Sequence, residues 1–188
     1  MSQIRPALVT FAALALLTGL AYPLVVTGIS QVAFPRQAKG SLILQNGQVV
    51  GSHLLGQHTE DPGYFWGRLS ATGGFPTNPL ASGASNLSAH NPDLKKDAER
   101  RIRALRTLDP GNPSPVPVDL VTASASGLDP HISPAAAEYQ VERVARVRHL
   151  DPKSLRILVA RHTKGRGLGF IGEARVNVLE LNLDLVKL

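Results

Sequence analysis

Pro6–Val26 reads PALVTFAALALLTGLAYPLVV and opens a run of thirty uncharged residues between Arg5 and Arg36. A helix rises about 1.5 Å per residue, so about 20 apolar residues cross the hydrocarbon core of a bilayer. The run suffices for one transmembrane helix over about residues 7–30, with residues left over near Ser30–Phe34. Pro23 would break a helix in water, whereas in a bilayer neighbouring groups can re-satisfy the freed carbonyl. Ala15 and Gly19 form a small-xxx-small pair over which another helix can come close, although spanning helices are rich in small residues in any case. Ala15, Gly19 and Pro23 are thus the candidate partner contacts of the anchor. A cleaved signal peptide fits the same stretch, with Arg5 as its basic start, Ala7–Leu17 as its apolar core and Gly19-Leu20-Ala21 as the cleavage site. Apolar character resuming at Leu24-Val25-Val26 and running to Phe34 favours the anchor. On both readings the remainder is expected outside the cytoplasm, with Met1 inside for the anchor. Charge bias adds little, because Arg5 and the amino terminus oppose Arg36 and Lys39.

Outward from this segment, residues 36–188 suffice for one compact domain with a core that needs no covalent staples. The chain has no Cys, which excludes disulfides, thiolate metal sites and a Cys nucleophile. Its net charge of +6 fits anionic partners. The basic stretches are Asp93–Arg106 and Glu142–Arg166, and each also reads as an ordinary solvated helix face. No helix-turn-helix, zinc-finger or RNP motif accompanies them, and aromatics are too few for a stacking platform, so nucleic acid is not an expected partner.

Ser41–Gln45 and Gln48–Gly51 flank Asn46-Gly47, a strong signal for a type I′ hairpin. Residues 57–91, rich in Gly, Pro, Ser and Asn, read as a long irregular loop. Asn91-Pro92, Ser133-Pro134 and Asp151-Pro152 each pair an N-cap with Pro at the first helical position. The three helices they open carry apolar faces through Leu94, Ala98, Ile102, Leu105 and Leu108; Ala137, Val141, Val144 and Ala145; and Leu155, Leu158, Val159 and His162. Asp109–Val118 holds four prolines and reads as an extended connector. Val176–Val186 alternates apolar and polar residues and reads as a strand with a bulge near Leu179. The fold class is an α+β extracytoplasmic domain (36–188) on one N-terminal transmembrane anchor (1–35).

Gly167–Gly172 matches G-x-G-x-x-G, but a helix precedes it and a strand follows, the reverse of a dinucleotide site. Arg161, Lys164 and Arg166 beside it are candidates for holding a phosphate or other anion; an ordinary turn fits as well. The six His residues form no metal-binding spacing. Val121–Pro134 is the soluble stretch singled out for partner contact, through Asp129 and His131, with a purely structural loop as the equal alternative. A hydrolase using Ser126, Asp129 and His131 is the rival from another class, although no nucleophile-elbow motif supports it.

Several motifs resemble one family. Arg5-Pro6, Leu17-Thr18-Gly19, Tyr22-Pro23-Leu24 and Phe34–Leu42 do so around the anchor. Val50-Gly51-Ser52, Leu55-Gly56-Gln57, Tyr64–Arg68 with Ser70-Ala71, and Ala81-Ser82-Gly83 with Ser85-Asn86 continue the match. Val121–Ser124, Ser126–Pro134 and Val176–Leu179 with Leu181-Asn182 complete it. Together, in this order, they resemble the C chain of potassium-transporting ATPases of the Kdp type. Leu69, Ala84 and Ala125 depart from the pattern, where the family usually has Pro, Gly and Gly.

The resemblance implies a non-catalytic, single-pass subunit of a high-affinity ATP-driven potassium uptake complex in the bacterial inner membrane. Its implied partners are a potassium-selective channel-like subunit, a P-type ATPase subunit, a small membrane subunit and the lipid bilayer. It also implies a role in raising the ATP affinity of the ATPase subunit, which conflicts with a soluble domain outside the cytoplasm. Potassium is expected to be carried by the complex rather than coordinated by this chain, and no cofactor is expected beyond the ATP that the resemblance suggests.

Overall fold

The structure, a computed structural model, describes residues 3–188, so the cytoplasmic side expected for Met1 lies outside the described residues. The chain forms two compact units, one ending at Val50 and one spanning Gly51–Leu188.

In the first unit, α1 (Ile4–Leu16), a π-helical turn (Leu17–Ala21) and α2 (Tyr22–Ala33) make one continuous helix of 30 residues. None of its side chains is buried, as expected of a helix whose solvent is lipid. The π turn ends just before Pro23. Proline has no N–H for the carbonyl four residues back, and its ring crowds that carbonyl. Widening the turn relieves both, and the Tyr22 N–H reaches back to the Leu17 carbonyl. Thr18 Oγ1 donates to the Leu14 carbonyl at 2.8 Å. The short α3 (Pro35–Ala38) follows, then β1 (Leu42–Gln45) and β2 (Gln48–Ser52), whose last two residues are counted with the second unit. Asn46 and Gly47 take φ of 51° and 78° between these strands, the positive pair that the hairpin requires.

The second unit contains α4 (Pro92–Leu108), α5 (Val118–Val121), β3 (His131–Ile132), α6 (Pro134–Arg148) and α7 (Pro152–His162). After them come β4 (Thr163–Lys164), β5 (Arg175–Asn177) and α8 (Val178–Leu185). The strands form an antiparallel sheet in the order β3-β5-β4, with His131 opposite Asn177 and Lys164 opposite Arg175. The three expected caps are in place: Asn91 Oδ1, Ser133 Oγ and Asp151 Oδ2 accept from the backbone N–H groups of Asp93, Ala136 and Ser154. At Asp151 these backbone bonds, that of Ser154 first, hold the carboxyl below the usual carboxylate range. The connector after Asp109 is not extended throughout: it opens with a turn at Pro110-Gly111, where Asn112 N–H donates to the Asp109 carbonyl at 3.2 Å, and runs irregularly until Val118 begins the single-turn α5. Residues 57–91 are irregular apart from a 3-10 turn at Pro79–Ala81.

The strand expected over Val176–Val186 is wrong beyond Asn177. β5 stops there, and Asn177 Oδ1 caps a helix by accepting from Glu180 N–H at 3.1 Å. Val178, Leu181 and Leu185 then bury at helical spacing. The alternating leucines fit both periods, and the Asn-x-x-Glu cap decides for the helix.

The core gathers Phe65, Leu105, Leu120, Val141, Val144, Leu155, Val176, Leu181 and Leu185. Phe65 and Trp66 enter it from an irregular segment, so their backbone groups need partners other than a strand. Two side-chain amides provide them. Asn182 on α8 donates to the Phe65 carbonyl and accepts its N–H, both at 2.9 Å. Gln140 on α6 does the same for Trp66, at 3.1 and 2.8 Å.

Candidate functional site

The irregular segments of the second unit converge on residues 123–131. Ser124 N–H donates to the Leu69 carbonyl at 3.0 Å, beside a parallel bridge between Leu69 and Ala123. Gly83 N–H and Ser82 Oγ both donate to the Ser126 carbonyl at 3.0 Å. Gly56 N–H donates to the Leu128 carbonyl at 2.8 Å. Gly127 lies at the crossing with φ of 69°, where a Cβ would stand 2.5 Å from Thr72 Cγ2 and 2.9 Å from the Gly83 carbonyl oxygen. Segments far apart in sequence thus build one platform, and the glycines permit its close backbone approach. Ala84 and Ala125, where the resemblance leads one to expect Gly, avoid the left-handed region, so neither alanine adds backbone strain.

Asp129 and His131 occupy one side of this platform. Asp129 Oδ1 accepts the His131 backbone N–H at 3.0 Å and lies 3.1 Å from its Nδ1, while Arg68 Nη1 reaches Oδ2 at 3.3 Å. His131 is half-buried on β3, held by Asp129 rather than projecting from a loop. Ser126 Oγ accepts from Leu128 N–H at 3.1 Å. Asp119 on α5 accepts the Ser133 N–H at 2.6 Å and so ties α5 to the start of α6. A cleft of 430 Å³ runs past Arg68, Asp119, Asp129, His131, Glu173 and Arg175. Beside these three basic and three acidic side chains, Val118, Ile132 and Ala174 line it.

The proposed anion-binding cations do not share one partner. Lys164 Nζ lies 3.8 Å from Glu180 Oε1 and Arg166 Nη2 lies 2.7 Å from Glu173 Oε2, while Arg161 is exposed. A phosphate would have to compete with two carboxylates of the same chain. In the anchor, Ala15 lies in the last turn of α1, Gly19 in the π turn and Pro23 in the first turn of α2, all exposed, with open space around the Gly19 Cβ position.

Charge reading alone missed a group of arginines around Tyr64–Trp66. Trp66 has Arg101 at 4.4 Å and Arg143 at 5.2 Å from its ring centroid, and Arg148 stands 4.4 Å from that of Tyr64. Arg143 is fully buried. It donates to the carbonyls of Pro62 and Tyr64 and, at 2.7 Å, to Gln140 Oε1. Arg101 donates to the carbonyls of Leu120 and Gly67 at 3.2 and 3.1 Å. Burial pulls both guanidiniums down to about 10, still charged at neutral pH. The available signal was positional: Arg143 follows Gln140 by three residues on the buried face of α6, and Arg101 precedes Leu105 by four on that of α4. Other arginines of the basic stretches also bond within the chain, Arg146 to Asp109 and Arg156 to Glu138 and Glu142, each at 2.7 Å.

Comparison with known proteins bears on what these features serve. The sequence profile of the family described as "KdpC: K+-transporting ATPase, c chain" matches residues 4–187. A protein of Polaromonas naphthalenivorans named "Potassium-transporting ATPase KdpC subunit" is 63% identical over 182 residues, 97% of this chain and 93% of its own length. Proteins of the same name from Ralstonia nicotianae and Sorangium cellulosum are 60% and 58% identical, over 97% and 98% of this chain and 89% and 97% of their own lengths.

Proposed function

The chain belongs to the family of the K+-transporting ATPase c chain, and on that premise we propose that it is a non-catalytic subunit that holds a potassium-uptake complex together from within the membrane. The observation that carries this reading is the anchor: a 30-residue apolar helix with no buried side chain needs lipid or partner helices around it. Ala15 and Gly19 give it a shallow face, and the widened turn before Pro23 leaves a break in regular helix bonding that a neighbour can complete. The partners are the channel-like subunit, the P-type ATPase subunit and the small membrane subunit of the same complex. Replacing Ala15 and Gly19 together by Ile is expected to reduce the recovery of these partners with the tagged full chain severalfold, with membrane insertion unchanged. Unchanged recovery removes this face from the interface.

The domain from Gly51 onward works outside the cytoplasm of the bacterial inner membrane, with the amino terminus inside. The platform at 123–131, with Asp129 and His131, is its docking surface on the channel-like subunit. ATP is not a physiological ligand on this reading, because it lies on the other side of the membrane, and Lys164 and Arg166 are already engaged by carboxylates. Equilibrium binding of ATP to the full chain in detergent is expected to show no saturable site. Tight binding that is lost in R161A/R166A would replace this view with one in which the chain raises the nucleotide affinity of the ATPase subunit.

A further inference from the structure

We propose that the hairpin loop between β4 and β5 is a membrane-contacting finger that dips an apolar tip into the interface of an anionic bilayer. Lys164 pairs with Arg175 across the base of the hairpin. At the tip, Gly167 and Ile171 exchange both backbone hydrogen bonds at 2.8 Å, so the five residues between and including them form a closed turn. That turn presents Leu168, Phe170 and Ile171 to solvent at 84, 74 and 55% exposure. Three large apolar side chains on one turn are costly in water, and such exposure marks a contact surface. Leu168 is held there in the left-handed region, with φ of 51°. A non-glycine residue in that conformation is uncommon, so the turn keeps an exposed leucine at a backbone cost. Among the described residues nothing lies within 4 Å of the Cβ positions of Gly165, Gly169 and Gly172, so the backbone of the finger is open to solvent there.

The charges around the tip identify what it meets. Arg166 adjoins the tip in sequence, Lys164 and Arg175 pair at its base, and Arg161 lies in the last turn of the helix that leads to it, against Glu173 and Glu180. Arg161 and Arg175 are exposed and have no carboxylate partner among the described residues. Apolar side chains ahead of a basic collar match the order of acyl chains and anionic phosphates met on entering a bilayer. A protein partner fits less well, since specific interfaces bury roughly 800 Å² on each side, more than one small turn offers. A bilayer requires no complementary shape. Residues 34–50 tether the unit that carries the finger to the apolar helix. The finger therefore acts as a second, reversible membrane contact beside the permanent anchor.

The absence of cysteine makes the test direct. F170C, labelled with an environment-sensitive fluorophore, is reconstituted as full chain in vesicles of phosphatidylcholine alone or mixed with phosphatidylglycerol. K153C, exposed at the start of α7, serves as the reference position. In the anionic vesicles the label at 170 is expected to shift to shorter wavelength and to be quenched by spin-labelled lipid, while that at 153 remains water-like. Each basic side chain near an anionic surface strengthens binding roughly fivefold, so adding R161Q and R175Q should lower the lipid-inserted ratio roughly 25-fold. Water-like emission at 170 in every vesicle would overturn the proposal. So would a blue shift that appears only with the other subunits present and resists the lipid quencher, since that outcome puts a protein on the tip.

Discussion

Trp66→Ala is expected to cost the folded domain about 3–5 kcal/mol, as deletion of a large buried aromatic does. Trp66 is 3% exposed, and its Nε1 donates to the Asp61 carbonyl at 2.9 Å. Its removal leaves a cavity between two buried guanidiniums and deprives both of the ring they face. In a chain of this size the loss should lower the melting temperature by roughly 6–20 °C, measured by circular dichroism on the full chain in detergent. Arg143→Met fills similar space but leaves the Pro62 and Tyr64 carbonyls without their donor, at roughly 1–3 kcal/mol for each group that finds no other partner. A change below about 1 kcal/mol in Trp66→Ala would mean that the stack is not what holds Tyr64–Arg68 in the core.

Gly127→Ala should have a large effect as well, and a more local one. A φ of 69° costs a non-glycine residue about 1–2 kcal/mol. The new methyl would also press on Thr72 and on the Gly83 carbonyl, for which overpacking adds about 1–3 kcal/mol. The backbone neighbour cannot rotate away as a long side chain would. Loops 70–72 and 82–83 are expected to separate from 124–127, detected as faster amide exchange at Gly83 and Ser124, with α6 and α7 protected as before. His131→Ala provides the contrast. It removes a half-buried ring whose side-chain bond, among the described residues, is to Asp129 two positions before it, so melting should change little. Impaired potassium-limited growth with normal melting would assign His131 to docking; normal growth would leave the turn a purely structural role.

The local chemistry of the chain was legible in its sequence. Asn46-Gly47, Asn91-Pro92, Ser133-Pro134 and Asp151-Pro152 act through the backbone of adjacent residues, so their effect is written where they stand. Asn177 escaped because the leucines after it satisfy two periods at once, and only its cap to Glu180 separates them. The pairing of Asn182 with Phe65 and of Gln140 with Trp66 joins residues more than seventy positions apart, which no local pattern encodes. The arginines were legible only in part. Their count suggested an anionic partner, yet Arg101, Arg143, Arg146, Arg148 and Arg156 spend their hydrogen bonds inside the chain. For the candidate site, the motifs at 56, 68–70, 82–83 and 124–131 were visible singly, and the fold supplies their convergence through Gly56, Gly83, Ser124 and Arg68.

The most direct measurement is the composition of the assembly recovered from native membranes in mild detergent through a tag on Leu188. The account expects one particle containing this chain with the channel-like and P-type ATPase subunits, and loss of that association when residues 1–35 are replaced by an unrelated spanning helix. Recovery of the chain without those subunits, or undiminished association after the anchor is exchanged, would contradict it.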